Sequence, residues 1–453
     1  MLYRLYTLLG WLLVMAGTPF FAPYRWLTGR PIAGLGQRLG LFHLKPGPWE
    51  GARLWFHAAS VGEVQAALSL VAALKKTGLQ AEIIVTSVTE QGFLAAKRIF
   101  GESATCLYAP LDLPWVVKRF LRQIKPSAYL CLETELWPVM LRLAKAHGIP
   151  ALLLNGRLSE RSFRRYARLS GLTKKTLACF DRAAVCQESD RQRYQALGMA
   201  PERLTVCGNA KYDLSLTDLC RPEAALAGLD DEGLRETAPK FYRNMLGLGN
   251  QPVLLAGSTH GGEEESVLAA WQALRADIPE LILIVAPRHL ERLGMLTGQW
   301  RAKGLTFQTT SQLQAGQGRK SDLLLLDRMG ELARLYAVAT YVFCGGSLTP
   351  KGGHNLMEPA LWGKPPLFGP HMQDFADARL LLEGQGAGFT VRDGQELHAR
   401  ILHFHQHHDQ YHQAAQGALA ITAAQQGAAS RQTELIRQAL NLPRHNRIVE
   451  NQR

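Results

Sequence analysis

Short apolar runs alternate with segments of helical periodicity along most of the chain. In the first half, residues 53–58, 82–86, 129–132, 151–154 and 182–186 read as strands. In the second half, 253–256, 281–286, 322–326 and 341–344 do so. These runs are nearly continuous in apolar residues, as expected of strands covered on both faces in a parallel sheet. Helical spacing over 64–75, 138–147 and 264–276 falls between them, which is the order of βαβ units. The two halves also open alike: Leu54-Trp-Phe-His-Ala-Ala-Ser-Val-Gly-Glu63 and Val253-Leu-Leu-Ala-Gly-Ser-Thr-His-Gly-Gly-Glu263 each run strand, small-residue loop, glycine, glutamate, helix. The pattern predicts two Rossmann-like α/β domains with ligands beyond the carboxyl ends of the strands. One sheet of nine or more strands is the alternative, and it strains the usual sheet size.

A length of 453 residues exceeds what one core usually organises, which favours two domains. Residues 209–249 carry Pro222, Gly228, Gly233 and Pro239 and are expected to be irregular and to hold the connection between domains. The expected division is an anchor over 1–28, a first domain over 29–215, an interdomain segment over 216–250, a second domain over 251–435 and a polar tail over 436–453. The anchor rests on the uncharged, apolar run 5–24, which is just long enough to span a bilayer. Pro19 and Pro23 would break such a helix, so it is read as an uncleaved segment that either spans or lies in the membrane interface. Basic residues after the run place the main body on the cytoplasmic side. A net charge of +13 implies an acidic partner. Arg157, Arg161, Arg164, Arg165, Arg168, Lys174 and Lys175 concentrate that charge with only Glu160 opposing it; a solvated helix face is the bland alternative. No nucleic-acid signature accompanies them, so an anionic lipid surface or a phosphorylated substrate is favoured over nucleic acid. The seven cysteines are scattered, which excludes a disulfide framework or Cys-type zinc site.

Candidate chemistry gathers where strands end. Tyr341-Val-Phe-Cys344 runs into Gly345-Gly346, and Gly352-Gly353 precede Asn355 and Glu358. Glycine-rich turns expose backbone N–H groups to phosphate, and residues three apart on a helix can grip vicinal hydroxyls together. Tight strand-to-helix packing is the simpler reason for such glycines. Glu63, where the first strand meets a helix, is the candidate general base, with helix capping as the competing explanation. Glu133 and Glu135 follow another strand at i, i+2 and are poorly explained by packing. Lys211 and Arg288 can neutralise phosphate charge. Met329, Gly330 and Glu331 open a further helix. There is no Asp-x-Asp metal motif, Walker-A loop or Gly-x-Ser-x-Gly elbow. The histidines at 403, 405, 407, 408 and 412 lack acidic or cysteine partners, so neither a metal nor a cofactor is expected.

Two Rossmann-like domains facing across a cleft make the architecture of GT-B glycosyltransferases. The chain resembles one such family: the 3-deoxy-D-manno-oct-2-ulosonic acid (Kdo) transferases of lipopolysaccharide synthesis. The resemblance lies in Ser60-Val-Gly-Glu63, Glu133-Thr-Glu-Leu-Trp-Pro138, Asn155-Gly-Arg-Leu-Ser159, Gly257-Ser-Thr-His260, Pro287-Arg288-His289, Met329-Gly-Glu331 and Gly352-Gly-His-Asn355 through Glu358. It implies metal-independent, inverting transfer of Kdo from CMP-Kdo to a lipid A precursor at the cytoplasmic face of the inner membrane. It further implies Glu63 as proton acceptor, Glu133 and Lys211 as the pair that stabilises the transition state, and an acceptor-binding first domain. Pro287, Arg288, Met329, Gly330, Glu331, Asn355, Leu356, Met357 and Glu358 would form the CMP site of the second domain. Leu356-Met357 stands where the family pattern has Pro-Leu. A transferase or epimerase using a UDP or ADP sugar, or a non-enzymatic protein binding anionic lipid, are the alternatives.

Overall fold

A computed structural model describes residues 2–3, 5–12, 14–16, 34–44, 51–220 and 223–441. The chain divides into two compact units, residues 1–213 with 427–453 and residues 214–426. The first holds a parallel sheet of β1 (Ala52–His57), β2 (Ala81–Ser87), β3 (Thr105–Tyr108), β4 (Ala128–Leu132), β5 (Ala151–Gly156), β6 (Arg182–Val185) and β7 (Leu204–Val206), in the order β3-β2-β1-β4-β5-β6-β7. Successive residues alternate between two cores. Trp55, Tyr129, Cys131 and Leu153 point into one; Leu54, Phe56, Leu130 and Leu132 point into the other. Both sets are buried, which is why the strands read as unbroken apolar runs. Each such side chain contributes about 1.5–3 kcal/mol by leaving water.

The second unit repeats the plan with β8 (Val253–Thr259), β9 (Ile282–Pro287), β10 (Gln308–Thr309), β11 (Leu323–Leu325), β12 (Tyr341–Cys344), β13 (Pro366–Phe368) and β14 (Phe389–Thr390). Its order is β10-β11-β9-β8-β12-β13-β14, again all parallel. Every strand expected from the apolar runs is present, in two sheets and not one. β3, β7, β10, β13 and β14 were not expected; they are short, and four of them stand at a sheet edge, where little apolar sequence is needed. In each sheet the chain order reverses between two neighbours, β1 and β4 in one, β8 and β12 in the other. Loops leaving the carboxyl ends of those neighbours splay apart and leave a crevice.

Three expectations are corrected. Residues 216–250 are not a bare connection: helix Asp231–Met245 belongs to the second unit, capped by the Asp230 side chain at the Gly233 N–H (2.9 Å). Leu234, Ala238 and Tyr242, spaced by four, bury one face of it and outweigh the internal Pro239. The second domain does not run to 435, nor is 436–453 simply a tail. Helix Ala428–Ala439 returns to the first unit, where Leu435 and Ile436 join the core; residues beyond 441 lie outside those described.

The expected anchor is helical over the described residues 2–3, 5–12 and 14–16, while Pro19 and Pro23 lie outside them. Among the described residues no helix is long and apolar enough to cross a membrane. One face of the N-terminal helix packs on the first unit through Tyr3, Tyr6 and Val14. Tyr6 donates to Asp112 Oδ2 (3.0 Å), and the Arg142 guanidinium lies 4.1 Å from the Tyr3 ring centroid. The opposite face, Leu5, Leu8, Leu9, Leu12 and Met15, is exposed.

Candidate active site

Glu63 sits in the first turn of helix Val61–Lys76, directly beyond β1. Its carboxylate accepts from the Ala59 N–H (2.7 Å) and the Ser60 hydroxyl (3.1 Å), and Ser60 Oγ in turn accepts from the Glu63 N–H (3.4 Å). That is capping, as the simpler explanation requires. Capping does not account for its surroundings. Glu63 is buried, and burial, followed by the charges of Glu133 and Glu135, holds its carboxyl well above the usual range against the pull of those two hydrogen bonds. One lone pair on each oxygen remains for another proton.

Glu133 and Glu135 reach Glu63 from the loop after β4, the neighbour of β1. Glu133 adopts the left-handed region at φ 52, a costly backbone for a residue with a Cβ. The turn is held by the Tyr194 hydroxyl on the Glu133 carbonyl (3.2 Å) and the Tyr166 hydroxyl on the Thr134 carbonyl (3.0 Å). Glu135 Oε2 accepts from Trp137 Nε1 (2.9 Å) and lies 4.0 Å from Nε2 of His57. His57 is buried, with Nδ1 3.1 Å from the Thr86 hydroxyl and no hydrogen-bond partner at Nε2 among the described residues; burial lowers its pKa to about 4, so it is neutral. Sequence reasoning passed over it, because a histidine at a strand end has no local signal.

Lys211 joins the group from a distant turn. Its Nζ lies 3.6 Å from where a Cβ on Gly62 would stand. The turn is pinned by Asn155, whose Oδ1 accepts from the Ala210 N–H (2.8 Å), and by Asn209, whose Oδ1 accepts from the Lys211 N–H (3.0 Å). Gln432, fully buried on the returning helix, ties both strands of this support together. Its Oε1 accepts from the Asn155 N–H (2.8 Å), and its Nε2 donates to the Gly208 carbonyl (3.0 Å). Sequence reasoning missed Gln432, which lies more than two hundred residues from its partners.

In the second unit, Arg288 follows Pro287 at the end of β9, close enough to Glu358 for its charge to pull that carboxyl down against a larger upward push from burial. Asn355 Nδ2 donates to Glu358 Oε1 (3.3 Å), and its Oδ1 caps the Met357 N–H (3.0 Å). Leu356 and Met357 are buried beneath them. Glu331 is buried and paired with Arg334 (2.6 Å), while Met329 and Gly330 are exposed. Trp362, one residue past helix Met357–Leu361, donates to the Ala333 carbonyl (2.7 Å), which joins these two segments.

The glycine turn does not do what the sequence suggested. Glu263, fully buried, accepts from the N–H groups of His260 (2.9 Å), Gly346 (2.7 Å), Ser347 (2.8 Å) and Leu348 (2.8 Å). The Gly345 N–H donates to the Gly257 carbonyl and the Gly353 N–H to the Gly346 carbonyl. Of the glycine N–H groups expected to cradle phosphate, those of Gly345, Gly346 and Gly353 are committed within the protein. Helix Met357–Leu361 is one turn long and adds little dipole. Glu263 matches Glu63 in the sequence pattern of the two loops, although it is the first residue of its helix and Glu63 the third. Backbone donors alone meet the Glu263 carboxylate, whereas Glu63 has one backbone donor and one hydroxyl and feels the charges of two more carboxylates.

Residues 33–214 match the family described as 3-deoxy-D-manno-octulosonic-acid transferase (kdotransferase). A 3-deoxy-D-manno-octulosonic acid transferase of Haemophilus influenzae is 34% identical over 337 residues, covering 74% of this chain and 74% of that protein. The Bordetella pertussis enzyme of the same name is 31% identical, covering 84% and 86%. A UDP-GlcNAc 2-epimerase from Neisseria meningitidis shares the fold at a TM-score of 0.51 and 12% identity, over 85% of this chain and 100% of that one. With relatives this similar over most of its length, the chain belongs to the Kdo transferases, glycosyltransferases of lipopolysaccharide biosynthesis.

Proposed function

We propose that the chain moves Kdo from CMP-Kdo to a lipid A precursor, lipid IVA, with inversion and without a metal, and that Glu63 is the general base. The contrast between Glu63 and Glu263 carries this reading. Glu263 is met by backbone donors on both oxygens, as a carboxylate kept only for capping or packing would be, and Glu63 has one backbone donor and one hydroxyl. Glu63 instead is buried against like charge, which strengthens it as a base near neutral pH. In the reaction, Glu63 takes the proton from the primary hydroxyl of the acceptor sugar. That oxygen bonds to the anomeric carbon of Kdo from the face opposite the phosphate. The bond from carbon to phosphate oxygen breaks, and CMP leaves with the electron pair. Lys211 and Glu133 stabilise charge at the first unit. Arg288, Asn355 and Glu358, with Pro287, Leu356, Met357 and the 329–331 turn, hold CMP. Charge neutralisation by lysine and arginine, and the lack of an Asp-x-Asp motif, support the metal-free route.

The protein is proposed to work at the cytoplasmic face of the inner membrane, with the N-terminal helix lying in the interface. Its exposed leucine face supports this, as do the exposed Arg161, Arg164, Arg165, Arg168, Lys174 and Lys175 of the neighbouring helices. Those helices adjoin it where Leu2 lies against Gly171.

Mass spectrometry of lipid IVA incubated with CMP-Kdo tests the chemistry and counts the sugars added. Glu63→Gln is expected to slow transfer roughly 10²–10⁴-fold while CMP binding is unchanged. Near-normal turnover in that variant eliminates Glu63 as the base.

A further inference from the structure

Two imidazoles of the second unit meet in a way no role above explains. His260 lies just beyond β8, and His354 sits beside Asn355. Their Nε2 atoms are 3.1 Å apart, their planes are 7° from parallel and their centroids are 5.3 Å apart. The centroid separation exceeds the N–N distance by about two ring radii, so the rings meet head-on and in plane. One Nε2 carries a hydrogen and the other offers its lone pair. Gly346 permits the contact: at φ 67 it has no side chain, and a Cβ there would stand 2.9 Å from the His354 ring and 3.4 Å from the His260 ring. Both rings are half-buried, within reach of solutes.

The charges around the pair are mostly positive. Arg288 and His289 face His354; His289, Lys351, Arg292 and Glu263 face His260. Glu263 is the lone carboxylate in that set, and its oxygens already accept five backbone N–H groups. Arg292 is paired with Glu264, whereas Arg288 and Lys351 are exposed. Such a field repels a metal cation, and among the described residues no group of three or more His, Cys, Asp or Glu side chains is arranged to hold one.

We propose that the His260–His354 pair, rimmed by Arg288 and Lys351, is an oxyanion subsite that takes up one proton as it binds an oxyanion of the sugar donor. This rests on the reading that the second unit binds CMP-Kdo, whose oxyanions are the phosphate and the sugar carboxylate. The empty pair shares one hydrogen and is neutral. Burial and the neighbouring cations keep it so, lowering the pKa of His354 to about 4. An oxyanion placed between the rings reverses the balance. A proton from solvent lands on the accepting Nε2, the pair gains one positive charge, and both Nε2–H groups donate to the anion.

Calorimetric titration of the whole chain with CMP at pH 7, in two buffers of different ionisation enthalpy, counts the protons exchanged. A phosphate monoester has its second ionisation near pH 6, and a cationic site makes it shed protons, so any net uptake comes from the protein. Wild-type protein is expected to take up a fraction of a proton approaching one, with affinity falling up to about tenfold per pH unit above neutrality. His354→Gln is expected to take up none and to bind CMP about tenfold more weakly, while binding cytidine as the wild type does; one charge-assisted hydrogen bond is of that size. His260→Asn, expected to behave alike, guards against a folding defect in one variant. Uptake with CMP assigns the phosphate, and uptake appearing only when free Kdo accompanies CMP assigns the carboxylate. No uptake under either condition, with His354→Gln binding CMP as tightly as wild type, overturns the inference and leaves the donor reading standing. A wild type that binds no CMP at all sinks the donor reading, and this inference with it.

Discussion

The same substitution at Glu263 and at Glu63 is expected to change stability in opposite directions. In Glu263→Gln an amide nitrogen replaces one carboxylate oxygen. Oε2 serves the N–H groups of His260 and Gly346, and Oε1 those of Ser347 and Leu348, so at least two backbone donors lose their acceptor in a site closed to water. Each orphaned donor costs about 1–3 kcal/mol, or roughly 4 kcal/mol for the pair. In a unit spanning 214–426 this lowers Tm by roughly 10 °C, at about 2–4 °C per kcal/mol. Glu63→Gln orphans nothing, because the amide oxygen can still accept from Ala59 and the amide nitrogen can donate to Ser60 Oγ. Glu63 has a folded-state pKa above its unfolded value, so its contribution is fully present below about pH 4.5 and is lost as pH rises through the folded value. Above the folded value the ionised side chain therefore costs about 1.4 kcal/mol for every tenfold by which folding weakens the acid. Removing that charge should raise the first unit's Tm by a few degrees at pH 7, with the gain vanishing below about pH 4.5. Differential scanning calorimetry across pH, resolving the two units, reads both effects. Equal losses in the two variants would mean Glu63 is only a cap and would refute the contrast on which the mechanism rests.

Three further outcomes are expected. Glu135→Gln removes a charge that raises Glu63, so the acidic limb of the pH–rate profile should move to lower pH; an unmoved limb would show that Glu135 does not set the base. Gln432→Ala leaves the Asn155 N–H and Gly208 carbonyl unmet, which should destabilise the first unit by about 2–4 kcal/mol. With the Lys211 turn loosened, kcat should fall while KM for CMP-Kdo holds, in steady-state assays below the new melting point. Leu9→Glu with Leu12→Glu should cut co-sedimentation with vesicles containing anionic lipid, while transfer to a detergent-dispersed acceptor stays near normal; unchanged sedimentation would remove the N-terminal helix from the membrane interface.

The division of the chain into strand and helix was readable because the information is local. An apolar run such as 281–286 cannot be satisfied at a solvent-exposed position, and a small-residue loop ending in glycine and glutamate marks where strand gives way to helix. Glu63, Glu133, Arg288, Asn355 and Glu358 were legible for the same reason: charged or amide side chains at the ends of buried strands have few packing explanations. Short outer strands such as β10 and β14 were not, since two residues carry no periodicity. Helix Asp231–Met245 was hidden by its glycine and proline, although the spacing of Leu234, Ala238 and Tyr242 was there to be found.

From order and residue type alone came two parallel α/β units, the strand-end residues and the family. Folding decided which groups face one another, because partners far apart in sequence leave no local trace. It closed the 345–346 turn over the Glu263 carboxylate, carried Gln432 back across more than two hundred residues to support the Lys211 turn, and set His260 nose to nose with His354. It also gave the glutamates after the two matching loops different surroundings, backbone donors alone for Glu263 and, for Glu63, one backbone donor and one hydroxyl with the charges of two carboxylates near. A carboxylate's proton affinity belongs to what lies within a few ångströms of it, and that neighbourhood exists only in the folded chain.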